Sequence, residues 1–141
     1  MKYLFLMFLL LLSANANIYR DGAKEVVIDD VARLMWIDNI SVIKIKKDHD
    51  SSTKYCEKLN YAGFDNWRLA KVEEFELIVD KRNIKNYINR AFKYNVPDGY
   101  WALKSLWRTL WFYADYMHFV SSTPYYDSRH KNKYIRCVRE Y

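Results

Sequence analysis

YCEKLNYAGFDNWRL, residues 55–69, is the stretch that decides the fold. Its first part has the pattern of the end of a helix, and Gly63 is placed to leave that helix in a left-handed conformation. Trp67 and Arg68 then follow in a short buried strand. The stretch also contains Cys56, one of only two cysteines, and the other, Cys137, lies four residues from the end of the sequence. Joining these two cysteines would tie the helix to the last strand.

The first 16 residues have the pattern of a secretory signal peptide. Lys2 gives a positively charged start, residues 4–12 form an unbroken apolar run, and Ala14-Asn15-Ala16 matches a small-x-small cleavage site. The run is shorter than the roughly 20 apolar residues that span a bilayer. We therefore predict cleavage after Ala16, a periplasmic or secreted bacterial protein, and no transmembrane segment after cleavage. An uncleaved N-terminal anchor is the alternative interpretation.

Residues 17–141 provide enough chain for one hydrophobic core but not for two, which predicts a single domain. The formal net charge is +6, and because Lys2 lies in the leader, the remainder keeps a charge of +5. A basic excess favours acidic partners such as anionic glycans, phospholipid headgroups or nucleic acid. An exported location makes nucleic acid the least favoured of these, so we predict no nucleic-acid partner.

Two cysteines in an exported chain predict one disulfide, since the compartment is oxidising. The loop from Cys56 to Cys137 is long, and on the chain-entropy model its closure stabilises the fold by roughly 4 kcal/mol. The alternative is a reactive or metal-binding pair. It is disfavoured because the spacing is not CxxC and no histidine lies within a few residues of either cysteine.

Apolar periodicity predicts strands, then helices, then strands. Strands are predicted at residues 25–30 and 33–37, followed by a loop over 38–50. Ser51, Ser52 and Thr53 are N-cap candidates for a helix that runs to Asn60. A second helix is predicted over 71–80, where Val72, Phe75, Ile78 and Val79 form an apolar stripe, and a short irregular helix within 81–95.

After the turn signal Pro97-Asp98-Gly99, three strands are predicted, at residues 100–103, 110–120 and 133–139. Residues 121–124 contain a proline and are predicted to break the chain between the last two strands. Strands at both ends with two helices between them favour an α+β fold with an antiparallel sheet.

With these motifs in view, the chain resembles the Lcl C-terminal domain family over about residues 21–140. The resemblance rests on Asp21-Gly22 with Arg33-Leu34-Met35-Trp36, on the central stretch from Tyr55-Cys56 to Leu69 with Glu74-Phe75, on Tyr100-Trp101-Ala102-Leu103, and on Ile135-Arg136-Cys137-Val138-Arg139. The chain departs from the family at Ala70, where the family has proline, and at Ala102-Leu103, where it has two serines. These two departures concern the geometry of the loops and not the fold.

The resemblance implies a C-type lectin-like domain: an α+β fold with two helices packed on antiparallel sheets and with paired N- and C-terminal strands. It also implies a bond between a helix cysteine, Cys56, and a last-strand cysteine, Cys137. The structural motif residues are Trp36, Gly63, Trp67, Arg68 and Trp101. Trp67 would fill the core between helix and sheet, and Arg68 would pair with a helix carboxylate such as Glu74.

Calcium-dependent sugar binding is not predicted. True C-type lectins resemble one another in a Glu-Pro-Asn or Gln-Pro-Asp loop and a Trp-Asn-Asp strand, and this chain has neither. Calcium takes roughly six to eight oxygen ligands, of which Asp38, Asp48 and Asp50 would supply only some. We therefore predict no metal and no cofactor.

Trp107 and Arg108 are the first candidates for ligand binding. They lie between two predicted strands, in a loop of the kind where binding residues concentrate. An exposed Trp107 would stack on a sugar face while the Arg108 guanidinium bonds an acidic group. The alternative is a tryptophan that folds back over the core, where Trp111 is also predicted to lie.

The densest basic cluster is the second candidate, with Arg129, Lys131 and Lys133 as its binding residues and Arg136 and Arg139 beside them. On a strand, the first three side chains would share one face, and such a groove would take sulfated or acidic glycans. The alternative is a solvated strand edge that prevents aggregation.

No catalytic site is predicted. Of the three histidines, His49 and His130 are expected in loops and His118 in a strand, and none neighbours a motif serine or cysteine. Formylglycine-generating enzymes share the C-type lectin-like fold but use a pair of active-site cysteines, whereas both cysteines here are assigned to the disulfide.

We therefore expect an exported, non-enzymatic binding module. It would recognise, without calcium and in an adhesion-like role, an acidic glycan or an envelope or host-surface protein. The alternative is a small structural or accessory envelope protein that binds another protein.

Overall fold

In the part of the chain that the structure describes, ten short strands form two five-stranded sheets. The computed structural model describes residues 17–105 and 112–141. In the first sheet the strands are β1 (Ile18–Asp21), β2 (Val26–Asp29), β3 (Leu34–Ile37), β5 (Arg68–Leu69) and β10 (Cys137–Glu140). Their order is β1-β2-β3-β10-β5, and every neighbouring pair is antiparallel.

The second sheet contains β4 (Lys46–Lys47), β6 (Gly99–Ser105), β7 (Tyr113–His118), β8 (Thr123–Ser128) and β9 (Lys133–Tyr134). Its order is β4-β9-β6-β7-β8. The β6–β9 pair is parallel and the other pairs are antiparallel. The predicted α+β class, with helices and mostly antiparallel sheets, is confirmed.

The first helix, α1, spans His49–Glu57, and a short 3-10 helix precedes it at Ile40–Ile43. Asp48 is the N-cap of α1, and its carboxylate accepts the Ser51 N–H at 2.8 Å. The predicted boundaries, with a serine or threonine cap and an end at Asn60, are therefore wrong. The Ser52 and Thr53 hydroxyls instead donate to carbonyls one turn back, inside the helix.

Gly63 has the predicted left-handed conformation, with φ +84°, but it does not end the helix. Ala62 before it also has a positive φ, +53°. Tyr61 and Phe64 exchange two backbone hydrogen bonds of 2.9 Å across this pair. Two left-handed residues between a hydrogen-bonded pair make a tight two-residue turn. The chain continues from this turn into β5.

The second helix, α2, is short, from Val72 to Glu76, so the prediction of residues 71–80 is wrong at its C-terminal end. The irregular helix predicted within 81–95 is also wrong, because this segment consists of turns and irregular chain, with one isolated bridge from Ile88 to Val79. Asparagine side chains bond the backbone there, as Asn83 Nδ2 does to Ile88 O at 2.7 Å. Such bonds compete with helical ones.

A series of ring contacts joins the two sheets. Trp36 of β3 lies 5.6 Å from Phe75 of α2, and Phe75 lies 6.0 Å from Phe119. Phe119 in turn lies 5.2 Å from Tyr100 of β6. All four side chains are fully buried, and burying each aromatic side chain stabilises the fold by about 1.5–3 kcal/mol.

A buried charge network lies where the chain passes from one sheet to the other. Arg136, between β9 and β10, is fully buried and donates to Ile37 O at 2.6 Å and to Asp38 Oδ1 at 3.3 Å. Residues 133–139 form two strands in different sheets, one on each side of this buried arginine, and the predicted single strand is wrong. Arg139 is only 8% exposed, so neither arginine belongs to an exposed basic cluster.

The predicted disulfide is confirmed: Cys56 of α1 is bonded to Cys137 of β10, with 5.5 Å between the Cα atoms. The expected pairing of the terminal strands is not found. β10 pairs with β3 and β5, and β1 pairs with β2. The strand β1 therefore lies three places along the sheet from β10, beyond β2 and β3.

Several further expectations differ from the structure. The strands β1 and β8 are absent from the prediction, and the predicted loop over 38–50 contains the 3-10 helix, β4 and the start of α1. The signal peptide and residues Trp107, Arg108, Leu110 and Trp111 lie outside the described residues. No helix within 17–105 and 112–141 is long and apolar enough to cross a membrane.

Candidate functional site

A row of aromatic side chains crosses the second sheet from the core to the surface. The register aligns Trp101 of β6 with Tyr116 of β7, and Tyr116 with Tyr125 of β8. Ring centroids are 6.2 Å apart for the first pair and 5.8 Å for the second, whose planes meet at 30°. Trp101 is fully buried, whereas Tyr125 is 47% exposed. The row therefore presents a supported ring to solvent.

Gly99 provides the space in which the Tyr116 ring lies. A Cβ atom at Gly99 would approach Tyr116 Cδ2 to 3.0 Å, a contact so tight that the ring would have to shift by a few tenths of an ångström, and Lys133 Cδ to 3.5 Å. The sequence predicts Gly99 in a turn, but it is the first residue of β6 and pairs with His118. The glycine thus serves a close packing contact in a strand.

The Lys133 ammonium group lies over these rings. Nζ is 3.9 Å from the Tyr116 ring centroid and 5.3 Å from that of Trp101, and it bonds Asp127 Oδ2 at 3.0 Å. The Lys133 side chain is only 14% exposed. A cation held between a ring face and a carboxylate fixes both partners. Lys133 therefore positions Tyr116 and Asp127.

Asp127 is shared by two lysines. Lys131 Nζ lies 3.3 Å from its other oxygen, and the Lys131 side chain is 66% exposed. Burial opposes ionisation of the Asp127 carboxyl, but its hydrogen bonds with Lys133 and with the Ser128 N–H outweigh burial and hold its pKa below the usual range. At neutral pH, one carboxylate thus faces two ammonium groups.

We call Tyr116, His118, Tyr125, Asp127 and Lys133 the aromatic–basic face. His118 lies on the same side of β7 as Tyr116, with its ring 6.4 Å from that of Tyr125. The structure brings Lys133 and Lys131 to this face. Tyr116, Tyr125 and Asp127 were missed by sequence reasoning, although the aromatic spacing across 113–126 and the glycine at 99 carry the signal.

Arg129 and Lys131 lie in the turn between β8 and β9, so the expectation that they share a strand face with Lys133 is wrong. The Arg129 N–H donates to Phe112 O at 2.8 Å, and its carbonyl accepts the His49 N–H at 3.0 Å. The turn is thereby held against the start of α1. Trp107 and Arg108, the other candidates, lie outside the described residues.

The acidic residues considered for calcium have other contacts. Asp38 bonds two arginines, Asp48 caps α1, and Asp50 pairs with Lys54 at 3.0 Å. Within the described ranges, no group of three or more His, Cys, Asp or Glu is placed to hold a metal ion.

His49 is buried at the start of α1, and its predicted loop position is wrong. Its Nε2 lies 2.8 Å from Ala102 O, and its ring is 5.2 Å from that of Trp101. Burial lowers the pKa of His49, against the opposing effect of the Ala102 contact. This histidine supports the inner end of the aromatic row.

The three tryptophans among the predicted structural residues lie inside the fold, whereas Gly63 is exposed and Arg68 is partly buried. Trp36, Trp67 and Trp101 are at most 2% exposed. Trp67 Nε1 donates to Phe64 O, and Trp101 Nε1 donates to Lys47 O. Arg68 binds both Glu74 oxygens, at 2.6 and 2.8 Å, so it fixes α2 against β5.

The Arg68–Glu74 pair makes stability depend on pH. Burial opposes ionisation of Glu74, but the Arg68 and Lys71 N–H bonds outweigh it and hold its pKa below the usual value. A carboxyl whose folded-state pKa is lowered adds stability above its unfolded-state pKa, and that stability is lost as pH falls through the folded-state value. We expect Glu74→Gln to cost about 1–2 kcal/mol at neutral pH.

Urea unfolding at about pH 7 and about pH 3 measures this effect. The wild type should lose more unfolding free energy between the two pH values than Glu74→Gln does. Glu76→Gln, at an exposed position of the same helix, is the matched control and should behave as the wild type. Equal losses in all three proteins would contradict the prediction.

One comparison with known proteins assigns the chain to a family. No curated protein and no solved structure matches it significantly. The family model of the Lcl C-terminal domain matches residues 25–139, which include both sheets except β1 and the last residue of β10. The matched range also includes both cysteines and the whole aromatic–basic face. The chain therefore belongs to the Lcl C-terminal domain family.

Proposed function

We propose that this protein is a non-enzymatic, calcium-independent binding module that recognises an acidic glycan through the aromatic–basic face. One observation carries the proposal: the half-exposed Tyr125 ring packs at 5.8 Å and a tilt of 30° against Tyr116, which is itself held by Lys133. A rigid, supported aromatic ring beside charged groups is the arrangement on which a sugar ring stacks through its apolar face.

The groups around Tyr125 fit the polar part of a sugar. Asp127 offers carboxylate oxygens to hydroxyl groups, and His118 offers a ring nitrogen. Lys131, exposed and linked to Asp127 through a surface ion pair, is placed to contact a carboxylate or sulfate. Surface ion pairs are worth little, about 0–1 kcal/mol, so an anionic ligand competes readily for this lysine.

The finer fold assignment belongs to the same proposal. We infer a C-type lectin-like domain, supported by the disulfide between α1 and the last strand and by the pairing of that strand with β3. The disulfide is compatible with an extracytoplasmic location, and we propose export through the signal peptide of residues 1–16.

We expect Tyr125→Ala to weaken glycan binding by about tenfold, because it removes a stacking contact of about 1–1.5 kcal/mol. Tyr126→Ala is the matched control, since its side chain lies on the opposite face of the same strand. Binding of the oxidised domain, residues 17–141, would be measured on an acidic-glycan panel with and without calcium and across a salt series. Lys131→Ala should reduce the salt dependence of binding.

Binding that requires calcium, or that survives Tyr125→Ala unchanged, would contradict the role of this face. A folded, oxidised sample that binds no glycan would overturn the proposal and favour a protein partner in the envelope. The variants Trp107→Ala and Arg108→Ala would be measured on the same glycan panel, because the sequence predicts that both residues contribute to glycan binding.

A further inference from the structure

A pocket of about 350 Å³ lies between α2, β6 and β7. The residues that line it are Lys71, Val72, Glu73, Leu103, Lys104 and Asp115. Sites for small ligands measure about 300–1,000 Å³ and combine a mostly apolar lining with a few polar groups that orient the ligand. This pocket therefore has the size and the composition of a site for a ligand at the small end of that range.

The apolar part of the lining comes from two side chains. Val72 of α2 and Leu103 of β6 are partly buried and pack against the hydrophobic core. Both also line the pocket, so part of each side chain stays uncovered. A ligand that covers this part removes apolar surface from water, which favours binding. This side of the pocket therefore fits an aliphatic group.

The carboxyl group of Asp115 has no partner in the pocket. Asp115 is partly buried, and within residues 17–105 and 112–141 no hydrogen bond or ion pair reaches its side chain. Burial raises the pKa of this carboxyl; Lys104 opposes that effect and Glu73 adds to it. Carboxylates removed from water are usually hydrogen-bonded or paired. An ammonium group of a ligand would supply the missing charge-assisted hydrogen bonds.

The pocket also carries positive charge. Lys104 is exposed and acts electrostatically on Asp115, but the two groups are too far apart to form an ion pair. The remaining two charged residues, Lys71 and Glu73, are also exposed. Two lysines and two carboxylates leave the pocket neutral as a whole, so neither a cation nor an anion alone is complementary to it. A ligand with one charge of each sign is complementary.

We propose that this pocket binds a free α-amino acid with an aliphatic side chain, its ammonium group at Asp115, its carboxylate at Lys104 and its side chain against Val72 and Leu103. The ammonium and carboxylate groups of an α-amino acid are attached to the same carbon atom. They therefore suit an acid and a lysine that are close together but not bonded to each other.

This inference goes beyond the proposed glycan binding and does not depend on it. Successive side chains of a strand point to opposite faces of a sheet. Asp115 therefore lies on the opposite face of β7 from Tyr116 and the aromatic–basic face. The two proposals can be tested separately.

Isothermal titration calorimetry with L-leucine tests the amino acid proposal. The protein would be the oxidised domain, residues 17–141, which contains every helix and strand of the described chain. Leucinamide lacks the carboxylate of leucine, 4-methylpentanoate lacks the ammonium group, and glycine lacks the side chain. We expect leucine to bind at least about tenfold more tightly than each of these three compounds, because each lacks one of the three contacts.

Variants of the pocket assign each contact to a residue. Asp115→Asn keeps the size of the side chain but removes its charge, and it should lower the affinity for leucine at least about tenfold. Lys104→Gln should lower the affinity for leucine and leave that for leucinamide unchanged. Glu76→Gln, at an exposed position of α2 that does not line the pocket, is the matched control and should bind leucine as the wild type does.

No binding of leucine at millimolar concentration would overturn the amino acid proposal, and so would an unchanged affinity in Asp115→Asn. Leucinamide that binds as tightly as leucine would also overturn it, in favour of the N-terminus of a peptide. Near-ultraviolet circular dichroism checks that each variant is folded. Asp115→Asn should bind acidic glycans as the wild type does, so failure of one proposal leaves the other standing.

Discussion

Replacing Asp38 with alanine is expected to cost about 3–5 kcal/mol of unfolding free energy, because it leaves buried charge without its partner. Asp38 is fully buried and accepts hydrogen bonds from Arg20 Nε at 2.6 Å and from Arg136 at 3.3 Å. It also accepts the backbone N–H groups of Lys93 and Tyr94, at 2.9 and 3.1 Å. One carboxylate thus connects β1, the end of β3, the segment before β6 and the crossing between β9 and β10.

The loss is large because the Arg136 guanidinium stays buried when its partner carboxylate is removed. Its Nε already has no partner within the described chain, so the group depends on Ile37 O, Asp38 and the Tyr94 carbonyl. A small domain typically has about 5–15 kcal/mol of stability. Removing Asp38 would therefore eliminate a large part of the unfolding free energy of the domain.

Urea unfolding followed by tryptophan fluorescence measures this cost. Asp65→Ala, at an exposed position, is the control and should change stability by less than about 0.5 kcal/mol. Adding Arg136→Met to Asp38→Ala should recover part of the loss, since the unpaired charge is then gone. Strictly additive losses, or a single-variant cost below about 1 kcal/mol, would mean that the network is not a coupled unit.

The same network is a part of the fold that local sequence patterns do not predict. Arg136 and Arg139 stand in a basic, tyrosine-rich stretch, and local pattern places them with Arg129, Lys131 and Lys133 at the surface. Their burial depends on Asp38 and on Asn66, which are about 98 and 73 residues away in the chain. Long-range partners of this kind leave no local periodicity, whereas the buried tryptophans and the cysteines lie in motifs that can be recognised.

The sequence predicts only part of the candidate site, because only some of its residues lie in a recognisable local pattern. Lys133 and Lys131 were found because charge clusters are visible in a sequence. Tyr125 was missed because Pro124 beside it indicates a break, although β8 is the last strand of its sheet, where proline is tolerated. The sequence predicts a helix end at Gly63 where the structure has a tight turn at Ala62-Gly63, since both structures require left-handed residues.

Removing the disulfide is expected to be about as costly as removing Asp38, by a different mechanism. The bond closes a loop with a sequence separation of 81 residues, and the chain-entropy model gives roughly 4 kcal/mol for a loop of this size. The bond acts on the unfolded state, whose ensemble it restricts. We therefore expect Cys56→Ala with Cys137→Ala to lower the urea midpoint by about 2–3 M, for a typical slope near 1.5 kcal/mol per M.

Reduction of the wild type provides an independent measurement of the same quantity. A strong reductant should lower the stability of the wild type to a value near that of the double alanine variant and leave that variant unchanged. Because both cysteine residues are buried, the alanine variant also loses packing, and it should be slightly less stable than the reduced wild type. A loss below about 1 kcal/mol in both experiments would mean that the unfolded chain remains compact without the cross-link, and that the contacts between α1 and β10 hold without it.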